Sequence, residues 1–183
     1  QKALVVIDLP FGSYENSKKR AFKVSAEILS KTGASAVKLE GGIELADTVN
    51  YLVDRGIPVM GHIGLMPQRI NINGKFISQG YSSLEVKKII TDAKSIASAG
   101  VFSLVLEAIK ESLGKKITNS VSVPTIGIGA GKYCDGQILV IDDLLGLSDF
   151  FPKFVKKYSN LKKIIEKSVK NYAKDVRLMK FPF

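Results

Sequence analysis

The chain has 183 residues, 45% of them hydrophobic and 24% charged, which is enough for one domain with a sizeable core and short of two ordinary ones. The balance is that of a globular rather than a disordered protein, no apolar run approaches bilayer length, and no signal-peptide pattern opens the chain. A single cysteine, Cys134, excludes an internal disulfide framework and suits a reducing compartment, so a cytoplasmic location is expected. The formal net charge of +10 raises the question of nucleic acid. Residues 150–183, however, hold ten Lys or Arg against Glu166 and Asp175 and so supply +8 of that charge. Leu161, Ile164, Ile165, Val169 and Tyr172 recur there at helical spacing with lysines between them. That pattern is an amphipathic helix with a solvated lysine face, and it has no interleaved aromatic platform for a nucleic-acid strand.

In chain order, short β-branched runs alternate with segments of helical period. The chain opens at Gln1 and enters an apolar strand at once, over 3–9 (ALVVIDL), a hint that some lead-in is missing. A helix over about 17–32 follows, ending at Gly33, then a strand over 35–40 (SAVKLE) and a helix over about 43–55, stopped by Gly56. Residues 57–62 (IPVMGH) read as a strand, followed by a long polar loop to about Ser82. Ser82 or Ser83 caps a helix to Ala99, and Gly100 stands behind it. A strand over 102–107 (FSLVLE), a helix over about 110–119, and strands over 123–128 (VPTIGI) and 137–141 (QILVI) complete the alternation before two or three basic helices close the chain. The reading is a single domain over 1–183, with the basic helices over 150–183 at its end.

Strict alternation of strands and helices predicts a parallel sheet with right-handed crossovers. The strands are apolar nearly throughout, as they are when both faces of a sheet are covered. An open doubly wound sheet and a (β/α)8 barrel both satisfy this. The polar residues favour the barrel. Asp8, Glu40, His62 and Glu107 stand at or near the C-terminal ends of separate strands, and in a barrel those ends surround one mouth, where the chemistry is done. Burying a carboxylate costs several kcal/mol unless it is paired or metal-bound, so three acids arriving independently at one rim are hard to explain as packing.

Each residue keeps a plain reading beside the functional one. Lys38 is two residues from Glu40 and shares its face of the strand; it either neutralises Glu40 or binds a substrate carboxylate or keto oxygen. Asp8 and Glu40 are oxygen donors of the kind Mg²⁺ accepts, or one of them pairs with Lys38. His62, between Gly61 and Gly64, is structural or catalytic, the glycines allowing a ligand to approach the backbone closely. Glu107 ends an apolar run, which would raise its pKa toward the range useful for proton transfer; alternatively it is a helix-start carboxylate favoured by the dipole. Gly127, Gly129 and Gly131 do not have dinucleotide-fingerprint spacing, although a phosphate role late in a barrel stays open. No chemistry attaches to Cys134.

Asp8-Leu9-Pro10-Phe11, Val37-Lys38-Leu39-Glu40-Gly41-Gly42, Gly61-His62-Ile63-Gly64-Leu65 with Pro67-Gln68, Leu104-Val105-Leu106-Glu107, and Ile126-Gly127-Ile128-Gly129-Ala130-Gly131 through Asp135-Gly136-Gln137-Ile138-Leu139-Val140 together resemble ketopantoate hydroxymethyltransferase. The resemblance covers essentially the whole chain. It implies a (β/α)8 TIM barrel that uses Mg²⁺ to move a hydroxymethyl group from 5,10-methylenetetrahydrofolate to 3-methyl-2-oxobutanoate. The products would be 2-dehydropantoate, for pantothenate biosynthesis, and tetrahydrofolate. It further implies Asp8 and Glu40 as metal ligands, Asp8 and Lys38 as contacts to the oxo acid, His62 near the substrate, and Glu107 as the proton acceptor. Partners would be small-molecule substrates and further copies of the chain in a large homo-oligomer, often a decamer, without nucleic acid or membrane. The family carries two strands ahead of the Asp-Leu-Pro-Phe strand, the second ending in Asp-Ser that gives another metal ligand. Nothing here matches them, so the expectation is a barrel lacking roughly its first two strands. The rival readings are another Mg²⁺-dependent 2-oxo acid carbon–carbon lyase of the related barrel superfamily, or an inactive fragment or scaffold.

Overall fold

A computed structural model describes residues 3–69 and 77–182. Of the polar loop expected between 63 and 82, residues 70–76 lie outside the described residues. The chain divides into two compact units, Gln1–Ile138 and Leu139–Phe183, each described by itself.

Among the described residues the first unit carries six strands: β1 Val6–Asp8, β2 Ala36–Glu40, β3 Val59–Gly64, β4 Ser103–Glu107, β5 Thr125–Ile128 and β6 Gly136–Gln137. Its described α-helices are α1 Lys18–Thr32, α2 Ala46–Val53, α3 Ser83–Ser98 and α4 Glu111–Thr118. All five strand pairs are parallel, and the strands neighbour one another in chain order from β1 to β6. A doubly wound sheet reverses its order at a switch point. The unbroken order is that of an arc of a (β/α) barrel, which excludes the open sheet.

Local chemistry sets the helix ends. The Ser17 side chain accepts the Arg20 amide ahead of α1, and Gly33 closes that helix in the left-handed region. Ser82, not Ser83, caps α3 in a reciprocal capping box with Glu85. One Glu85 carboxylate oxygen receives the N–H groups of Gly80, Tyr81 and Ser82, which holds that carboxyl below the ordinary range. The second expected helix is interrupted at its start, where Ile43–Leu45 forms a 3-10 turn before α2.

Register divides the sheet into two unlike faces. Cα partners on neighbouring strands, and alternate residues along one strand, share a face. Val37, Leu39, Val59, Ile63, Leu104 and Leu106 form one face and are fully buried, packed against helix residues such as Ile89, Ala93 and Ile96 of α3. The opposite face carries Asp8, Lys38, Glu40, His62, Val105 and Glu107. The hydrophobic core therefore lies between strands and helices, and the charged residues line the inner side of the arc.

The strand expected over 137–141 is corrected. Of that run only Gln137, with Gly136 before it, is strand paired to β5, and Ile141 opens a helix, α5 Ile141–Leu145, with Asp142 and Asp143 in its first turn. Two carboxylates at a helix start complement its dipole and outweigh the β-branched run before them. In the second unit α5 ends at the left-handed Gly146, and the Tyr158 amide donates to Leu144 O at 2.9 Å. The expected amphipathic basic helix is α6 Leu161–Arg177, capped by Asn160, and no residue on it is buried.

Candidate active site

The five expected site residues come from four strands and meet on one face. Asp8 is the Cα partner of Lys38, Glu40 of His62, and Gly64 of Glu107. Lys38 is the hub. Its ammonium lies 3.0 Å from Asp8 Oδ1, 3.9 Å from Glu40 Oε1 and 2.8 Å from His62 Nδ1. Lys38 thus reaches both acids, Asp8 more closely than the Glu40 expected from spacing. Exposure grades inward: the Asp8 side chain is 58% exposed, Lys38 15%, Glu40 4% and His62 2%, so Asp8 stands at the lip and His62 at the floor.

His62 has one protonation pattern available. An ammonium only donates, so Nδ1 accepts from Lys38 and the ring hydrogen sits on Nε2. Nε2 then donates to Leu65 O at 2.8 Å, with Glu107 Oε2 3.3 Å from the same nitrogen. Burial, and then the neighbouring Lys38 charge, push the His62 pKa down to about 3, so the ring is neutral at physiological pH. Glu107 is driven the other way. Burial raises its pKa to about 7 against the pull of Lys38, with the Glu40 and Asp8 charges adding to the rise. Burial also raises Glu40, opposed by the Gln68 amide and Lys38.

The alternative placing of Glu107 at a helix start is corrected, because it ends β4 and α4 begins at Glu111. Between them Ala108 adopts φ 46°, a left-handed conformation that costs a non-glycine residue roughly 1 kcal/mol or more. Its N–H is held by Ile128 O and its carbonyl by the Gln79 amide, each at 2.8 Å. The backbone thus turns sharply directly behind the Glu107 carboxylate. The glycines around His62 serve protein packing rather than ligand approach. A Cβ on Gly61 would meet Ile96 and Leu104, and one on Gly64 (φ +93°) would collide with the Glu107 carbonyl oxygen.

Gly127 within β5 and Gly131 beyond it also face protein atoms. Gly127 lies against Cys134 and Gln137, and Gly131 (φ +80°) against Glu111. Asp135 folds back to accept the Thr125 amide at 2.8 Å and hydroxyl at 2.9 Å, which holds its carboxyl below the ordinary range. Gln137 Nε2 donates to Gly131 O at 3.0 Å.

Three residues escaped the sequence reading of the site. Tyr14 is buried between strands and loop, and burial pushes its pKa up to about 12. Gln68, quoted above only as part of a motif, donates its backbone N–H to Glu40 Oε2 at 3.1 Å. Asp92, on α3 and 2% exposed, accepts the Ile43 amide at 3.0 Å and pairs with Lys88 at 2.6 Å. The only trace of Asp92 in the sequence is the second glycine of Gly41-Gly42, where a Cβ would run into its carboxylate.

Among the described residues no group of three or more His, Cys, Asp or Glu is arranged to cage a metal ion. Asp8 and Glu40 nonetheless present carboxylate oxygens around one cationic group, the Lys38 ammonium. Magnesium commonly takes only one or two protein carboxylates and completes its shell with water and substrate, so this donor set fits it. Among the described residues no helix is long and apolar enough to cross a membrane.

Parallel strands in barrel order, with charged side chains collected at their C-terminal ends, define the class: a (β/α)-barrel enzyme. The chain belongs to the ketopantoate hydroxymethyltransferase family, whose pattern matches residues 1–183. It is 53% identical over 182 residues to the 3-methyl-2-oxobutanoate hydroxymethyltransferase of Bartonella tribocorum, covering 100% of this chain and 67% of that protein. It is 54% identical over 181 residues to the protein of the same name from Rhodospirillum rubrum, covering 98% of this chain and 65% of that protein. The chain thus spans about two thirds of the length of these relatives. Among solved structures there are distant likenesses. One is the YdjI aldolase of Escherichia coli K12, with TM-score 0.40, 15% identity, and 76% of this chain and 66% of that one covered. Another is a putative phosphonomutase of Burkholderia cenocepacia J2315, with TM-score 0.39, 13% identity, and 95% and 85% covered.

Proposed function

We propose that the whole protein transfers a hydroxymethyl group from 5,10-methylenetetrahydrofolate to 3-methyl-2-oxobutanoate, giving 2-dehydropantoate and tetrahydrofolate, and that this face of the arc is its active site. The observation that carries the reading is the convergence of Asp8, Lys38, Glu40, His62 and Glu107 through contacts of 2.8 to 3.9 Å. The names of the relatives support the choice of substrates.

Asp8 and Glu40 would hold Mg²⁺. When bound, the ion draws electron density from the keto oxygen and so favours loss of the neighbouring proton. Lys38, already beside Asp8 and Glu40, binds the oxo acid and adds positive charge where negative charge develops. Glu107 takes the proton from the carbon beside the keto group; a carboxylate with a pKa near 7 is matched to that task at neutral pH. That carbon then bonds to the one-carbon unit of the folate. Both folate carbon–nitrogen bonds break; the one water consumed supplies the new hydroxyl, and its other proton and the proton on Glu107 go to the two freed folate nitrogens. His62, neutral and held between Lys38 and Leu65 O, lies beside the substrate and next to Glu107. The surroundings in which this fits are a cytoplasmic homo-oligomer, with small molecules as the ligands.

The test is product formation. The whole protein, supplied with Mg²⁺, 3-methyl-2-oxobutanoate and 5,10-methylenetetrahydrofolate, should yield 2-dehydropantoate and tetrahydrofolate in equal amounts. Consumption of the oxo acid without tetrahydrofolate, or cleavage of a larger 2-oxo acid instead, would point to the lyase reading.

A further inference from the structure

We infer that Tyr14 and Gln68 are positioning residues that aim the Glu40 carboxylate, occupying one of its oxygens and leaving the other facing the mouth. The inference rests on the reading of Glu40 as a metal ligand given above.

The contacts form a closed ring. Gln68 Nε2 donates to Leu9 O at 2.8 Å. A carbonyl accepts only, so the amide orientation is fixed and Oε1 must face the other way. There Oε1 accepts the Tyr14 hydroxyl at 3.1 Å, the nearer of that hydroxyl's two acceptors, with Glu40 O at 3.4 Å. The same hydroxyl accepts the Glu40 backbone N–H at 3.2 Å. The ring closes where the Gln68 backbone N–H reaches Glu40 Oε2 at 3.1 Å. Leu9 is itself tied to β2, its amide donating to Lys38 O at 3.0 Å. Three pieces of chain that spacing cannot relate, the loop after β1, the end of β2 and the turn after β3, are thereby clamped around one side chain.

The consequence for Glu40 is asymmetric. Oε2 is committed to Gln68, while Oε1 lies on the Lys38 side, 3.9 Å from the ammonium. Glu40 therefore offers one oxygen to a cation in the mouth. Tyr14 is 1% exposed and its phenol stays protonated at physiological pH, so it acts through hydrogen bonds alone. Outer hydrogen-bond partners of metal ligands typically matter by 10- to 100-fold in metal affinity.

The experiment measures Mn²⁺ affinity by the loss of the free-ion electron paramagnetic resonance signal. It uses the whole protein as wild type, Tyr14→Phe, Gln68→Ala and the double variant, with thermal melting of each in the metal-free state. Tyr14→Phe and Gln68→Ala should each weaken Mn²⁺ binding about 10-fold. The double variant should bind within about threefold of the weaker single, because both substitutions open the same ring. In proton exchange of 3-methyl-2-oxobutanoate, each single should raise the Mg²⁺ concentration for half-maximal rate by the same factor while leaving the saturated rate within about twofold. Variants that melt lower yet bind Mn²⁺ as tightly as wild type would mean the ring is only structural and would overturn the inference. A wild type that binds no Mn²⁺ would overturn the metal reading and this inference together, a result recognisable without any variant.

Discussion

The Lys38 ammonium donates to His62 Nδ1 across 2.8 Å, and that one bond determines what the histidine can do. With Nδ1 occupied as an acceptor, the ring holds its hydrogen on Nε2, aimed at Leu65 O, with Glu107 Oε2 3.3 Å from the same nitrogen. His62 should accordingly show the neutral Nε2–H pattern in ¹⁵N NMR down to pH 5. An imidazolium signal at pH 6 would contradict this.

The same residue sets an acid dependence of stability. Unfolded, His62 takes its proton near 6.5, whereas folded it does so only near 3. The unfolded chain therefore binds more protons between those values. Stability from this residue is full above 6.5 and falls with pH below it, by about 1.4 kcal/mol per unit. In urea titrations His62→Gln should lose about 2 kcal/mol less than wild type between pH 6.5 and pH 5. Parallel losses in the two proteins would show that the ring is not buried neutral.

Glu107 has the opposite sign. Its folded pKa is about 7 against an ordinary 4.5, so the fold favours the protonated acid. The stability is full below 4.5 and is lost as pH climbs through 7. Glu107→Gln, which cannot ionise, should be more stable than wild type at pH 8 by roughly 2–3 kcal/mol. The wild-type proton-exchange rate should rise with pH to a plateau as Glu107 loses its proton, with a midpoint above the ordinary carboxylate range. A midpoint below 5 would remove Glu107 from the role of base.

Much of the candidate site is legible because each expected residue is the polar interruption of an apolar strand. Asp8, Glu40 and Glu107 end such runs, and Lys38 follows from the two-residue repeat of a strand. What could not be read depends on contacts between loops. Tyr14 and Gln68 are 54 positions apart yet share a hydrogen bond, and nothing in spacing relates them. Asp92 reads as an ordinary helix surface residue with Lys88 one turn before it, although its carboxylate is buried against the Gly42–Ile43 turn. In the 137–141 run β-branched residues suggested a strand, and Asp142 and Asp143 started a helix instead. The sequence leaves the glycines open as approaches for a ligand because it shows the missing side chain and not the protein atom that fills its place.

Gly64 and Gly12 separate those two uses of glycine. Both have positive φ, but a Cβ at Gly12 meets nothing within 4 Å, while one at Gly64 collides with the Glu107 carbonyl. Gly12→Ala should cost about 1 kcal/mol in urea unfolding, from backbone strain alone. Gly64→Ala should cost at least about 3 kcal/mol, and any folded fraction should have a displaced Glu107. Equal costs would mean that the crowding beside Glu107 is relieved cheaply.

Asp135 holds the start of β5 through Thr125 and lies outside the Lys38 cluster. Asp135→Ala should lower stability by about 1–3 kcal/mol and leave the KM for the oxo acid within about twofold. A tenfold rise in that KM with unchanged stability would place the glycine block in substrate binding.

Deuterium uptake at C3 of 3-methyl-2-oxobutanoate, followed by proton NMR in D₂O with Mg²⁺ and no folate, isolates the step assigned to the Lys38 cluster. The whole protein should exchange that proton, and Glu107→Gln should slow the exchange by 10² or more, while still folding. Exchange at the wild-type rate in Glu107→Gln would contradict the assignment of the proton to Glu107.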